Sequence, residues 1–379
     1  MNQADQQAAI VQTYLVRVTC LFWLVAKLIT WKLWLSDRLF PLVPPFNALS
    51  HVPAPVHVAL LITSLACLII LFVKPASKHL LIVLFLAEIV SCLFDQSRWQ
   101  PWEYQYLFTI LLFIVFRNRT DLLLPAVAFI LFTTYFFSGI NKLNPAFIER
   151  IWSRMVLIRF FKLSGSTSHI PFLYYLGYAI PVYETACAVG LLFKRTKNAA
   201  AILLILMHLF NLLLLGPLGI NYNPSIWPWN VGMIFFLQFL FLSSRSFDSK
   251  KMVSKYLIPV VIFWGIMPAC YLFGQWDGFL SSSLYSGNNR DMVICFGDSS
   301  NNNYPAQLKR YVSRNVNSVC GGGKYISVTR WSMNELKAPG YPEKRVFLRL
   351  QDLLNKRYGA YHLNFYITQA GENTMPVTE

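Results

Sequence analysis

Apolar residues run along this chain in blocks about as long as a hydrocarbon core is thick. A helix crosses that core with about 20 residues at 1.5 Å each. Nine stretches approach this length: about 12–34, 55–73, 79–94, 103–116, 121–141, 171–193, 198–216, 227–243 and 255–274. Beyond 274 the pattern changes. "DMVICF", "KYISVTRW" and "AYHLNFYI" read as short strands, with the clearest alternation in the last. "YPEKRVFLRLQDLLNKRYG" reads as a helix, with Pro342 near its first turn, Val346, Leu350 and Leu353 on one face and Gly359 at its end. The pattern predicts an all-α polytopic membrane protein of about nine transmembrane helices with a small C-terminal α/β extramembrane domain. The expected boundaries are 1–274 and 275–379.

Composition supports this. Hydrophobic residues make up 55% of the 379 and charged ones 13%, where a soluble protein carries about 25%. A net charge of +16 would point to nucleic acid in a soluble protein; here the placement of lysine and arginine sets topology instead, and no nucleic-acid partner is expected. Lys74 and Lys78, Arg117 and Arg119, Lys194, Arg195 and Lys197, and Arg245, Lys250, Lys251 and Lys255 occupy four turns. Alternating spans put these turns on one side, which the positive-inside rule makes cytoplasmic. The N-terminus is then cytoplasmic and the tail extracytoplasmic, in a plasma or inner membrane. The first apolar stretch reads as a retained span, because it has no basic leader or small-residue cleavage site.

Residues 142–162 depart from the charge rule. Lys142, Arg150, Arg154, Arg159 and Lys162 fall on the expected outer side. Phe147, Ile151, Trp152, Met155, Ile158 and Phe161 recur at three- and four-residue steps, the pattern of an amphipathic helix in the interface. Of the seven cysteines, Cys295 and Cys320 are the two that could pair outside the membrane, and the sequence leaves that open. No metal site is expected.

Ionisable residues inside spans are costly and therefore candidates for function. Lys142 ends the fifth span, Glu184 lies early in the sixth, and His208 and Asn211 share a face of the seventh. Glu88 lies in the third span, seven residues before Asp95. Each has a plainer reading. Lys142 would snorkel, Glu184 would sit in the interface, His208 would bond a neighbouring helix, and Glu88 would lock onto Lys27. The loops "SRWQPWEYQY" and "NPSIWPWN" suit a tryptophan belt. Asp95, Gln96 and Arg98 beside Trp102, and Asn221, Asn223 and Asn230, equally suit the lining of a wet cavity.

"YFFSGINKLNPAFI" resembles the segment of vitamin K-dependent gamma-glutamyl carboxylases with a Tyr-Phe-x-x-Gly-x-x-Lys-Leu pattern, matched by Tyr135, Phe136, Gly139, Lys142 and Leu143. "ETACAVGLLFKRTKNAAAILLILMHLFN" is similar to the stretch ending in His-x-x-Asn, with His208 and Asn211 on those positions and Glu184 on an acidic one. "DQSRWQPWEYQYLF" matches more loosely the family's polar loop. The resemblance covers 90–240 and extends to the broader horizontally transferred transmembrane (HTTM) domain family; DoxX-like membrane proteins share looser features. It implies a reduced, vitamin K-like quinone as cofactor, with Lys142 as base and His208 and Asn211 polarising the quinol. Apolar neighbours favour the neutral amine that a lysine base requires. Tyr135, Gly139, Glu184, Asp95, Arg98 and Trp102 are then expected around the cofactor. Residues 275–379 do not resemble the carboxylases' substrate-binding region. Two functions are therefore expected: a carboxylase-like or quinol-dependent redox enzyme, or a non-enzymatic membrane subunit whose polar cluster holds a lipid and whose outer domain docks a protein partner.

Overall fold

The computed structural model describes residues 3–242, 249–296, 304–313, 318–369 and 375–376. Arg245, one of the topology residues above, lies outside them. The chain divides into two compact units: Met1–Ile29, Ile62–Ile89 and Pro101–Gly287; and Thr30–Leu61, Val90–Gln100 and Asn288–Glu379.

Each of the nine apolar stretches is helical. They are α1 (Gln3–Ile29), α2 (Ala54–Val73), α3 (Lys78–Leu93), α4 (Pro101–Val115), α5 (Thr120–Asn141), α6 (Ala179–Gly190), α7 (Lys197–Leu215), α8 (Ile226–Leu242) and α9 (Lys255–Phe273). Five are long and apolar enough to cross a membrane: Ile10–Ile29 within α1, then α2, α5, α7 and α9. The other four are shorter. α3 has 16 residues and α4 has 15. The stretch before α6 is broken into Pro171–Tyr175 and a turn at Leu176–Tyr178. Within that turn Gly177 lies close against Trp152, where a Cβ would meet the ring at 2.5 Å.

α5 is the central helix of the first unit. Its apolar window is 72% buried, against 22–50% for the other four long helices. It packs most extensively on α6, and Gly139 permits this. A Cβ there would lie 2.2 Å from Thr185 Oγ1 and 2.9 Å from the Pro181 carbonyl oxygen. Close approach of this kind needs a residue without a side chain.

The segment expected as an amphipathic α-helix is a π-helix, Phe147–Phe160. With i→i+5 bonds it has more residues per turn, which turns a different set of residues inward. Phe147, Ile148, Ser153, Val156 and Leu157 are buried, whereas Phe161 is exposed.

In the second unit β1 (Asp291–Phe296) pairs antiparallel with both β2 (Tyr325–Ser327) and β3 (Leu363–Thr368), and the two-residue β4 (Met375–Pro376) extends the order to β2-β1-β3-β4. Val293 lies between Ser327 and Tyr366 in the register. "KYISVTRW" is not one strand. Ser327 ends it by capping α10 (Val328–Leu336), accepting from the Arg330 amide at 3.1 Å. Asp291 accepts from the Ser327 hydroxyl at 2.6 Å and the Thr329 amide at 2.9 Å, fixing the corner. The expected last helix is present as α11 (Lys344–Tyr358), burying Val346, Phe347, Leu350 and Leu354 rather than Leu353. Cys295 and Cys320 are disulfide-bonded, with Cα atoms 5.4 Å apart.

The segments Thr30–Leu61 and Val90–Gln100 are tied into this unit by buried polar groups. Glu335 accepts from the Leu39 and Phe40 amides at 2.6 and 3.1 Å, from Trp331 Nε1 at 2.7 Å and from the Tyr311 hydroxyl at 3.1 Å. Asp95 pairs with Arg38 and accepts from the Val43 and Ser97 amides at 3.1 and 3.0 Å.

Candidate functional site

The first unit encloses a cavity of about 530 Å³, within the usual range for small-molecule sites. All of its lining comes from the chain between Thr134 and Tyr285. Most of the wall is apolar: Phe147, Ile151, Trp152, Met155, Leu206 and Met233 are among its residues. Five of the nine site residues expected from sequence converge on it: Tyr135, Lys142, Glu184, His208 and Asn211. They belong to three separate stretches of chain, α5 with its C-terminal Lys142, α6 and α7, so the fold itself has gathered them.

Lys142 follows the last residue of α5, and its backbone amide bonds back to the Gly139 and Ile140 carbonyls. Its Nζ donates to Ser138 Oγ at 2.8 Å and forms an ion pair with Glu184 Oε2 at 2.5 Å. The side chain of Lys142 is 14% exposed and that of Glu184 is 4% exposed. Thus the snorkelling reading of Lys142 does not hold. The close approach at Gly139 brings α6 within reach, so Gly139 serves the site from behind its wall.

A second chain of hydrogen bonds crosses the cavity floor. Tyr135 Oη and His208 Nε2 are 2.7 Å apart, and His208 Nδ1 and Asn230 Oδ1 are 2.8 Å apart. The Asn230 amide is oriented by its Nδ2, which donates to the Ile226 carbonyl at 2.9 Å. Oδ1 therefore faces His208 and accepts from Nδ1–H. That leaves Nε2 to accept from the Tyr135 hydroxyl. The partner of His208 is thus Asn230 rather than Asn211. Asn211 lines the cavity, and its amide makes no hydrogen bond to the described residues.

The remaining expected cofactor residues lie elsewhere. Asp95, Arg98 and Trp102 line no part of this cavity. Arg98 is fully buried and spends its guanidinium on the Leu33, Ser91 and Trp34 carbonyls at 2.8–3.0 Å and on Ser91 Oγ at 3.0 Å. Burial alone would raise the Asp95 pKa. Arg38 and Arg98, with the Val43 amide, more than offset it and hold the carboxyl below its ordinary value. These two residues organise a polypeptide corner. Trp102 is fully buried within α4.

Glu88 takes the plainer of its two readings in part, since Lys27 Nζ lies 2.7 Å from Glu88 Oε2. Sequence reasoning missed Asn230 as a site residue by grouping it with loop asparagines. The available signal was its position in "IWPWN", where Pro228 suits the first turn of a helix.

Chemically, the cavity sets a carboxylate and an ammonium side by side at one place and a hydroxyl–imidazole–amide chain at another. Apolar walls surround both. The arrangement fits an amphiphile with an aromatic or aliphatic body and hydroxyl or carbonyl oxygens. No protein-family model, curated protein or solved structure matches this chain. Among the described residues no group of three or more His, Cys, Asp or Glu side chains is placed to hold a metal ion.

Proposed function

We propose that the chain is a multi-pass membrane enzyme of the HTTM type that binds a lipid-soluble quinol in the α5–α8 cavity and removes its hydroxyl protons. The observation that carries this reading is the convergence of Tyr135, Lys142, Glu184, His208 and Asn211 on one largely apolar cavity. The donor set fits such a group: a ring occupies the apolar wall, and the unpartnered Asn211 amide addresses a ring oxygen. A reduced quinone supplies two electrons and two protons, and dioxygen is the acceptor that the resemblance to gamma-carboxylases implies.

With a quinol bound, the Glu184 carboxylate would take a hydroxyl proton and the Lys142 ammonium beside it would face that oxygen. The pair therefore acts as one acid–base unit, and Lys142 works beside Glu184 rather than as a lone amine. Tyr135 and His208 hold the opposite side polar and oriented through Asn230. All nine helices span the bilayer, the shorter ones through local thinning of the bilayer around them. The cytoplasmic N-terminus follows from the lysine and arginine turns. The Cys295–Cys320 disulfide supports an extracytoplasmic second unit, because such bonds persist in oxidising compartments.

The test uses purified protein in lipid nanodiscs with a reduced vitamin K-like quinone and dioxygen. Wild type should oxidise the quinol, and Lys142→Ala, which strips the acid–base pair of its cation, and His208→Ala, which breaks the orienting chain, should each lose at least about tenfold in rate. Lack of both binding and oxidation across a range of quinones would overturn the reading. The neutralised Lys142–Glu184 pair favours one alternative: a non-enzymatic module that holds a hydroxylated lipid while its outer unit docks a partner. Quinol binding without oxidation in wild type would select it.

A further inference from the structure

Away from the cavity, α1, α2, α3 and α4 converge on a second polar cluster in the first unit. Lys27, Glu88 and Glu103 are each at most 1% exposed. Lys27 Nζ lies 2.7 Å from Glu88 Oε2 and 3.8 Å from Glu103 Oε2, within ion-pair reach of both. Ser64 Oγ donates to Glu88 Oε1. Trp23 Nε1 donates to Glu103 Oε2 at 2.6 Å. The other Glu103 oxygen, Oε1, is fully buried without a hydrogen-bond donor among the described residues. The buried hydroxyl of Tyr106, close enough to feel the Glu103 charge, has no partner either. Among the described residues, further titratable groups beside the cluster include the thiols of Cys67, beside Glu88, and Cys20, beside Cys67.

Charge counting makes this arrangement informative. Fully ionised, it would hold two carboxylates against one ammonium, with no further cation among these neighbours. One uncompensated charge at bilayer depth costs about 3 kcal/mol or more, and two carboxylates sharing a site do not both ionise readily. A hard cation would need about six oxygen ligands. Three of the four carboxyl oxygens here are already engaged by Lys27, Ser64 or Trp23, and the Lys27 ammonium stands within reach of both carboxyls. A proton needs one oxygen, and Glu103 Oε1 is open.

We propose that Lys27, Glu88 and Glu103 form an intramembrane protonation site in which the two carboxyls share one exchangeable proton. The ligand is a hydrogen ion, taken from and returned to water with no other bond made or broken. The site is separate from the quinol reading above, since none of its residues lines the cavity.

Infrared difference spectroscopy of the protein in nanodiscs, in H2O and D2O at neutral pH, tests this directly. Wild type should show a protonated-carboxyl C=O band that shifts in D2O. Glu88→Gln and Glu103→Gln each leave one carboxylate against Lys27, so either should remove that one band. Lys27→Met should instead add a second. Glu184→Gln should leave the band in place, which separates this proposal from the cavity chemistry. Wild-type spectra without a D2O-shifted carboxyl band, or a band unchanged by whichever of the three cluster variants fold, would reduce the cluster to a structural ion pair.

Discussion

Gly139→Ala is the perturbation whose outcome the structure defines most closely. The added Cβ would lie 2.2 Å from Thr185 Oγ1 and 2.9 Å from both the Pro181 carbonyl oxygen and the Thr185 amide nitrogen. Two of these three atoms are backbone, so rotating a side chain cannot clear them. Overpacking of this kind costs about 1–3 kcal/mol. Part of the cost should be relieved by moving α6 away from α5, which lengthens the Lys142–Glu184 contact. Gly139→Ala should therefore weaken both fold and ligand binding. The magnitude can be divided with Thr185→Ala. Thr185 Oγ1 is buried without a hydrogen-bond partner among the described residues, so deleting it alone should be nearly neutral. In the double variant the closest clash is gone but the two backbone contacts remain, so about half of the lost stability should return. Denaturant midpoints in detergent, read as a double-mutant cycle, measure this coupling. Gly139→Ala with unchanged stability, or a double variant no better than the single, would refute the close α5–α6 approach.

Other consequences are independent of that contact. Glu184→Leu leaves the Lys142 ammonium without its partner and should cost about 3–5 kcal/mol, while Lys142→Met combined with Glu184→Leu should recover most of it; equal losses in the single and double variants would contradict the pairing. Tyr135→Phe removes one buried hydrogen bond and should cost about 1 kcal/mol with little change in packing, measurable by thermal unfolding. Because the Asp95 pKa is lowered on folding, its stabilising contribution is present above the ordinary carboxylate value of about 3.9 and is lost as pH falls through the lower folded value. Asp95→Asn should be less stable at neutral pH and should flatten the acid limb of stability against pH; an unchanged limb would argue against it. Reduction of Cys295–Cys320 should lower stability by about 2–4 kcal/mol, and alkylation of intact cells should find these two thiols blocked if the second unit is extracytoplasmic.

The membrane helices were legible because apolar runs of bilayer length leave few other folds, and the ionisable residues inside them stood out for the same reason. Lys142, Glu184 and His208 stood out as candidates before any geometry. Their partners were less so. Asn230 sat in a Pro-Trp run that reads as a loop, although the helix begins at Ile226. Glu103 lay two residues past Pro101 among aromatics, where a charge reads as interfacial. Its burial depends on helices α1 and α3, which no local pattern announces. The π pitch of Phe147–Phe160 was also hidden, since its apolar spacing satisfied an α-helix equally well. The N-cap at Ser327 carried a local signal that the β-rich run around it outweighed. In the second unit, Thr30–Leu61 and Val90–Gln100 lie far along the chain from the tail they join, and the buried Arg38–Asp95 pair and the Glu335 hydrogen bonds form only in three dimensions.

A photoreactive quinone offers the most direct measurement of the central claim. Irradiated with the protein in native membranes and mapped by peptide mass spectrometry, it should label Trp152, Met155, Leu206, Met207 and Phe210, all on the cavity wall. Excess unlabelled quinol should suppress that labelling. Labelling confined to outward-facing residues such as Ile69 and Phe72, or labelling that excess quinol leaves unchanged, would contradict a quinol site in the cavity.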